Sequence, residues 1–141
     1  MSGMEQLYQS IRHKNSREHV ESAIHNYVNS FAEHDLEKRG ALFANNATFS
    51  DPANSPAFSG LDAIHQFWLG LKAAPFRMEP TINQIVVCGD SVILDFIMKM
   101  TSKVDVRTLH VRDIFEFNDQ GKIQSLMAYW DPACLTQSQT K

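Results

Sequence analysis

The chain has 141 residues, 43% of them hydrophobic and 21% charged, which suits one globular domain with a single core. Its net charge is −3 and its thirteen Lys and Arg are scattered, so it lacks the basic surface of a protein that binds nucleic acid or an anionic membrane. No apolar run is long enough to span a bilayer and the N-terminal residues lack the apolar core of a signal peptide, so we expect a cytoplasmic protein.

The polar segment 1–14 is predicted to be a flexible extension, either an arm or a short additional helix. A single domain is predicted for residues 15–135, and the polar residues 136–141 are predicted to be a frayed tail. Within the domain, Asn15 or Ser16 can cap a first helix that runs to about residue 33. The apolar side chains of this helix recur at helical spacing: Val20, Ile24, Tyr27, Val28 and Phe31.

Two further helices and a strand follow. Asp35 can cap the second helix, and Ser59 or Gly60 can open the third. Between them, the segment 47–51 is predicted to be a short strand that Pro52 ends. The third helix has its own apolar stripe, formed by Ile64, Phe67, Trp68 and Leu71.

The second half of the chain shows the alternation of β-strands, with turn sequences such as Gly89-Asp90 between the segments. The alternating segments are 81–88, 91–101, 107–117 and 122–130. Helices first and strands afterwards predict an α+β fold, in which a curved antiparallel sheet wraps around three N-terminal helices. We expect a cone-shaped molecule with one apolar pocket at the open end of the sheet, where ligands commonly bind.

Asp113 is the anomaly in this alternation, because it is the one polar residue on its face of the predicted strand. The other members of that face are Leu109, Val111, Phe115 and Phe117. A carboxylate there is costly unless it is paired or neutral, and burial raises its pKa. Two interpretations follow: Asp113 pairs with a buried Arg107 or His65, or it stays protonated and donates a hydrogen bond to a ligand oxygen.

Asp51 and Tyr27 are the other two candidate site residues. Asp51 ends its predicted strand at the edge of the core, a position that suits a carboxylate able to ionise beside an apolar ligand; before Pro52 it can equally form an Asx turn. Tyr27 lies within the apolar stripe of the first helix, where it is either a core residue or a hydrogen-bond donor to a ligand. Convergence of these side chains with Asp113 on one cavity would favour a functional site.

These residues carry a resemblance to a known family. From about residue 21 to residue 130 the sequence resembles bacterial ketosteroid isomerases, which belong to the nuclear-transport-factor-like, polyketide-cyclase-like (SnoaL-like) superfamily. The matching stretches are Tyr27-Val28, Asp35-Leu36, Leu42-Phe43-Ala44 with Ala47-Thr48, Asp51-Pro52 with Ser59-Gly60, and Phe115-Glu116-Phe117-Asn118 with Gly121-Lys122.

The resemblance implies an activity and a role for each candidate residue. Asp51 falls on the general base, which moves a proton so that a C=C bond shifts into conjugation with a ketone through a dienolate. Tyr27 and Asp113 fall on the two hydrogen-bond donors to the dienolate oxygen. No metal and no organic cofactor are implied. The apolar substrate, a steroid or a similar enone, is expected to lie against Phe67, Trp68, Leu94, Phe96, Met98, Met100, Val111, Phe115, Ala128 and Trp130.

The sequence also departs from the family pattern, since Phe43 and Trp68 stand where some members have supporting tyrosines. Two alternatives therefore stay open. One is another lyase, cyclase or hydrolase on the same scaffold, for which His65 and His110 are acid–base candidates. The other is a non-enzymatic ligand-binding dimer module. An Asp–Arg–Asp arrangement in the pocket would instead indicate epoxide opening.

A homodimer is predicted from the outer face of the sheet. Ile93, Ile97 and Ile114 alternate onto that face, and exposed apolar side chains on a sheet often mark an interface. The resemblance implies the same assembly, because the family usually forms homodimers.

Overall fold

The computed structural model describes residues 2–139. Its helices are α1 (Gly3–Ser10), α2 (Arg17–Glu33), α3 (Leu36–Gly40) and α4 (Leu61–Ala73), with a short 3-10 helix at Pro132–Cys134. Its strands are β1 (Phe43–Ser50), β2 (Phe58–Ser59), β3 (Arg77–Cys88), β4 (Ser91–Thr101), β5 (Asp105–Phe117), β6 (Ile123–Tyr129) and β7 (Leu135–Gln139). The α+β class predicted from the sequence is confirmed, with α1 as a fourth helix before the three expected ones.

The strands form one curved sheet that stays open, in the order β2-β1-β6-β5-β4-β3, with β7 paired to β5 off this path. Strand β6 pairs with the second half of β5, and β7 pairs with the first half. All pairs are antiparallel except β1 with β6, which run parallel. The sheet is therefore mixed, whereas the sequence predicts only antiparallel pairs, because alternation along a strand carries no information about the direction of its partner.

Capping residues set the helix boundaries. The Ser16 hydroxyl accepts a hydrogen bond from the His19 amide (3.1 Å) and so begins α2, and the Asp35 carboxylate accepts one from the Lys38 amide (2.9 Å) at the start of α3. The buried face of α2 contains the predicted apolar stripe together with two small residues: Val20, Ala23, Ile24, Tyr27, Val28, Ser30 and Phe31. Helix α2 contacts β3 and helix α4 contacts β1, so the helices cover the inner face of the sheet.

Of the two forms expected for the N-terminal extension, an arm or a short additional helix, the structure has the helix, α1. Helix α1 begins with a reciprocal capping box between Ser2 and Glu5. The residues after it are held by Asp90, whose buried carboxylate accepts hydrogen bonds from the amides of Lys14 (2.9 Å) and Asn15 (3.0 Å) and pairs with Arg12 (2.9 Å). The extension is therefore anchored to the β3–β4 turn.

Most of the predicted frayed tail is a strand. Residues 135–139 form β7, which pairs with Asp105–Leu109 of β5, while residues 140–141 of that prediction lie outside the described residues. The sequence of β7 is polar and shows no apolar alternation, so it does not predict a strand. The strand forms because backbone groups of β5 that do not pair with β6 are free to pair with β7. Strand β3 likewise begins at Arg77, before the expected residue 81, because an edge strand tolerates Pro80.

None of the helices formed by residues 2–139 combines the length and the apolar character needed to cross a bilayer.

Candidate active site

A cavity of about 510 Å³ lies between the helices and the curved sheet, within the usual size range of small-molecule sites. Its wall is largely apolar. The lining residues are Tyr27, Phe31, Phe49, Asp51, Pro52, Phe67, Leu71, Met78, Phe96, Met98, Met100, Arg107, Leu109, Val111, Asp113, Ala128, Trp130, Pro132 and Leu135. The structure thus brings all three candidate residues, Tyr27, Asp51 and Asp113, to one cavity.

Asp113 lies on the inward face of β5, between Leu94 of β4 and Ala128 of β6. Its side chain is 2% exposed and has neither a hydrogen bond nor an ion pair with any residue from 2 to 139. Burial raises its pKa well above the ordinary carboxyl value, and the nearby charge of Asp51 raises it further. Both effects favour the neutral acid, which is a hydrogen-bond donor.

Asp51 follows the last residue of β1 and is joined to Pro52 by a cis peptide bond. It is half-buried, and it accepts a hydrogen bond from the indole Nε1 of Trp130 (2.5 Å). Burial raises the pKa of Asp51, while the Trp130 hydrogen bond lowers it by stabilising the carboxylate. Asp51 is therefore the carboxyl group of the cavity that ionises first.

Tyr27 packs against three aromatic rings. The rings of Phe31, Phe43 and Phe115 lie 5.1, 6.0 and 5.3 Å from its own, measured between centroids. Its hydroxyl group has no hydrogen-bond partner among residues 2–139. Burial and Asp113 raise its pKa, so Tyr27 remains a neutral donor.

A buried cation, Arg39, lies behind Tyr27. It is 2% exposed, its guanidinium carbon stacks 3.7 Å from the Phe31 ring centroid, and its Nε donates to the Ser30 hydroxyl (2.8 Å). Within the described part of the chain no carboxylate forms an ion pair with it. Its positive charge lowers the pKa of Tyr27, against the effect of burial. The indole Nε1 of Trp68 has no hydrogen-bond partner among residues 2–139, so it does not bond to the Tyr27 hydroxyl. The positive charge of Arg39 therefore supports the Tyr27 hydroxyl electrostatically, without a hydrogen bond.

Seven of the ten predicted wall residues line the cavity: Phe67, Phe96, Met98, Met100, Val111, Ala128 and Trp130. The other three, Trp68, Leu94 and Phe115, do not line it and are fully buried in the core. Alternation correctly places Leu94 and Phe115 on the inner face of the sheet. It does not reveal that this part of the inner face is covered by the helices, as the contact of Phe115 with Tyr27 illustrates.

Several lining residues are absent from the sequence prediction. Met78 was outside the expected range of its strand, and Pro132 and Leu135 lie at the end of the chain, next to the predicted tail. Arg107 is a lining residue that pairs with Asp105 (3.1 Å) and not with Asp113.

The two histidines considered as alternative acid–base groups are not among the lining residues. His110 faces outward, where its Nε2 lies 2.7 Å from an Asp95 carboxylate oxygen, and His65 is on helix α4. No group of three or more metal-ligating side chains occurs between residues 2 and 139.

Comparison with known proteins identifies the family of this fold. A model of the SnoaL-like domain matches residues 24–126. Steroid Delta-isomerase from Nocardioides simplex is 27% identical over 115 residues, which cover 80% of this chain and 90% of that protein.

Solved structures with similar folds include two enzymes. Delta 5-3-ketosteroid isomerase from Mycobacterium sp. superposes with a TM-score of 0.74 at 20% identity, over 85% of this chain and 98% of its own. The epoxide hydrolase/cyclase-like enzyme SalBIII, of pyran ring formation in the polyether salinomycin, superposes with a TM-score of 0.74 at 21% identity, over 85% of this chain and 96% of its own.

The structural matches establish the fold and leave the chemistry open, because proteins of this fold differ in activity. The sequence match to the domain model is independent of them and spans most of the chain. The resemblance inferred from the sequence is confirmed at this level. The chain belongs to the SnoaL-like family.

Proposed function

We propose that the protein is a cofactor-independent isomerase of the ketosteroid isomerase type, which moves a C=C bond of a steroid-like enone into conjugation with its ketone. The observation that carries the proposal is that two carboxyl groups lie in one apolar cavity, and that the pKa of Asp113 is raised further than that of Asp51. Asp113 favours the neutral acid and Asp51 ionises first. Two carboxyl groups whose pKa values differ in this way are suited to act as hydrogen-bond donor and general base.

The reaction is a proton shift in two steps. The Asp51 carboxylate removes a proton from the carbon between the ketone and the C=C bond, which leaves a dienolate and a protonated Asp51. Tyr27 and Asp113 donate hydrogen bonds to the dienolate oxygen, where negative charge develops. Asp51 then returns the same proton to the far end of the conjugated system, so the reaction needs no other reactant.

The unpartnered state of the two donors supports this assignment. Both groups line the cavity without a partner in the described part of the protein, so a ligand oxygen between Tyr27 and Asp113 could accept a hydrogen bond from each. Arg39 adds a positive charge behind Tyr27, which favours negative charge on the ligand oxygen.

Epoxide opening is a second candidate activity, since one structural neighbour is described as epoxide hydrolase/cyclase-like, and it receives less support. An Asp–Arg–Asp arrangement requires an arginine bonded to the cavity carboxyls. Among residues 2–139, Asp51 bonds to Trp130 and Asp113 has no partner, while Arg107 pairs with Asp105. This arrangement favours the dienolate mechanism.

The test is the conversion of a β,γ-unsaturated 3-ketosteroid to its conjugated isomer, followed by ultraviolet absorbance. We expect turnover by the wild type and a loss of at least about 10²-fold in kcat for Asp51→Asn, with binding of the conjugated product retained. Asp113→Leu is expected to slow the reaction less, because Tyr27 still donates. Asp62→Asn makes the same chemical change at an exposed position in the first turn of α4 and serves as the control.

Two results would contradict the proposal. One is the absence of turnover by the wild type on β,γ-enones. The other is an equal loss of product binding in Asp51→Asn and Asp113→Leu, which would assign both residues a structural role.

A further inference from the structure

The cavity has a second polar end, formed by Arg107. Apart from Tyr27, Asp51, Asp113 and the indole that bonds to Asp51, the rest of the lining is apolar, and Arg107 is the cation of the described wall. Its side chain is 41% exposed, so it lies at the mouth of the cavity, whereas Asp113 is buried. The proposed chemistry takes place at the buried end and gives Arg107 no role.

The guanidinium of Arg107 is held in place through its Nε edge, which leaves its two terminal nitrogens available. Its Nε donates to Asp105 (3.1 Å), and its guanidinium carbon lies 5.1 Å from the Phe76 ring centroid. Asp105 is itself fixed by hydrogen bonds from Gln137 Nε2 and from Ser102 Oγ (2.9 Å). The terminal nitrogens of Arg107 have no partner among residues 2–139, and such a pair matches the two oxygens of a carboxylate.

An apolar floor connects the two polar ends. Asp113, Val111, Leu109 and Arg107 alternate along β5 and all line the cavity. Their partners on β4 include three further lining residues: Phe96, Met98 and Met100. Asp113 lies six residue steps beyond Arg107 along the strand, which corresponds to about 20 Å along the backbone. A ligand that contacts both ends is therefore elongated.

We propose that Arg107 forms a carboxylate subsite at the mouth of the cavity, and that the substrate is an elongated apolar ketone with a carboxylate at the end remote from the ketone. The proposal rests on the proposed function for the position of the ketone. The subsite itself depends only on Arg107 and on the apolar floor.

The test measures binding of two unreactive probes by calorimetry: a saturated 3-oxo steroid whose C17 side chain ends in a carboxylate, and its methyl ester. For the wild type we expect the carboxylate to bind about tenfold more tightly than the ester. Arg107→Gln should bring the ratio of the two Kd values close to one. Arg107→Lys, which keeps the charge and loses the paired donors, should give an intermediate ratio and serves if the glutamine variant does not fold.

Arg112→Gln is the matched control, because Arg112 carries the same charge on the same strand and pairs with Asp95 on the outer face. Its ratio should equal that of the wild type. The proposal is overturned if the wild type binds both probes equally, or if Arg112→Gln lowers the ratio as much as Arg107→Gln. Since neither probe reacts, the result is independent of the isomerase assay: a subsite with no turnover would contradict the proposed function alone.

Discussion

Asp51 and Asp113 show how two identical side chains acquire different chemistry from their surroundings. Asp113 is enclosed by the core and has no donor to stabilise a negative charge, so burial raises its pKa without compensation. Asp51 lies one residue beyond the end of β1 and receives a hydrogen bond from Trp130. The division of the proposed roles between base and donor follows from this difference.

Removal of the Trp130 donor is expected to shift the pH dependence of the reaction. Activity requires ionised Asp51, so kcat/KM falls as the pH decreases through the pKa of Asp51. Trp130 stabilises the carboxylate and lowers that pKa, and Trp130→Phe should therefore move the acidic limb of the profile to higher pH. Steady-state kinetics across the acidic range measure this shift. Tyr129→Phe, at an exposed neighbouring position, should leave the limb in place.

Asp113 is expected to reduce stability at neutral pH. Its pKa is higher in the folded state than the ordinary value of about 3.9, so the folded state binds more protons and loses stability as the pH rises from that value through the raised pKa. Asp113→Asn should therefore raise Tm relative to the wild type, by an amount that grows with pH across this window, while it lowers kcat less than Asp51→Asn does, because Tyr27 and the asparagine amide still donate hydrogen bonds. A Tm difference that stays constant with pH would contradict the shifted pKa.

The sequence was sufficient to single out three polar residues of the cavity, Tyr27, Asp51 and Asp113, because each lies in line with apolar residues of a periodic pattern. It was not sufficient to identify their partners. The bond from Trp130 to Asp51 joins residues that follow separate strands, β6 and β1, and the support of Tyr27 by Arg39 depends on a buried cation that a sequence pattern places on the surface. Local periodicity predicts the face of an element on which a side chain lies. It does not predict which side chains of other elements contact it.

At the scale of elements, the β3–β4 turn organises the N-terminal part of the chain. Gly89 has a positive φ of 62°, and a Cβ atom there would lie 2.1 Å from the Arg12 carbonyl oxygen, so only glycine allows this close approach. Asp90 follows and binds the segment that joins α1 to α2. The sequence correctly predicts this turn, but the partners of Asp90 are more than 70 residues away, so its role as an anchor was not predictable.

Asp90→Ala is expected to lower the free energy of unfolding by about 2–4 kcal/mol, because it removes the buried carboxylate that accepts hydrogen bonds from Arg12, Lys14 and Asn15. Denaturant unfolding measures the change. Asp119→Ala is the matched control: Asp119 pairs with the same arginine, Arg12, but is 57% exposed, so its removal should cost less than about 1 kcal/mol. Equal effects of the two variants would contradict the anchoring role.

The acid dependence of the Asp90 anchor follows from its pKa. Burial acts to raise that pKa, but the hydrogen bonds from Lys14 and Asn15 and the charge of Arg12 outweigh it and lower the pKa below the ordinary value. The anchor is therefore fully effective above about pH 3.9 and is lost as the pH falls through the lowered pKa.

At the scale of the whole molecule, the sheet has two faces with different surfaces. The inner face forms the cavity, while the outer face carries a row of apolar residues that crosses four adjacent strands. Cross-strand pairing connects the members of the row: Val86, Ile93, Ile114 and Met127. Ile93 and Val86 are each 43% exposed. A second copy of the chain packed against this row would cover these side chains, in line with the predicted homodimer.

Ile93→Glu is expected to reduce the native mass from that of a dimer to that of a monomer, since it places a charge within the row. Light scattering after size-exclusion chromatography measures the mass. Leu69→Glu makes a comparable change at an exposed position of α4, outside the row, and should leave the dimer intact. A wild-type mass equal to that of one chain would contradict the prediction.

The thioethers of the cavity wall have a consequence for the chemical durability of the protein. Met78, Met98 and Met100 line the cavity and let it adapt to ligands of different outline. A mild oxidant converts such side chains to sulfoxides, which are polar and branched, and so makes the wall less favourable for an apolar ligand. A methionine sulfoxide reductase reverses the change. Ligand affinity is therefore expected to fall under oxidative stress and to recover afterwards, while the two candidate carboxyl groups remain chemically intact.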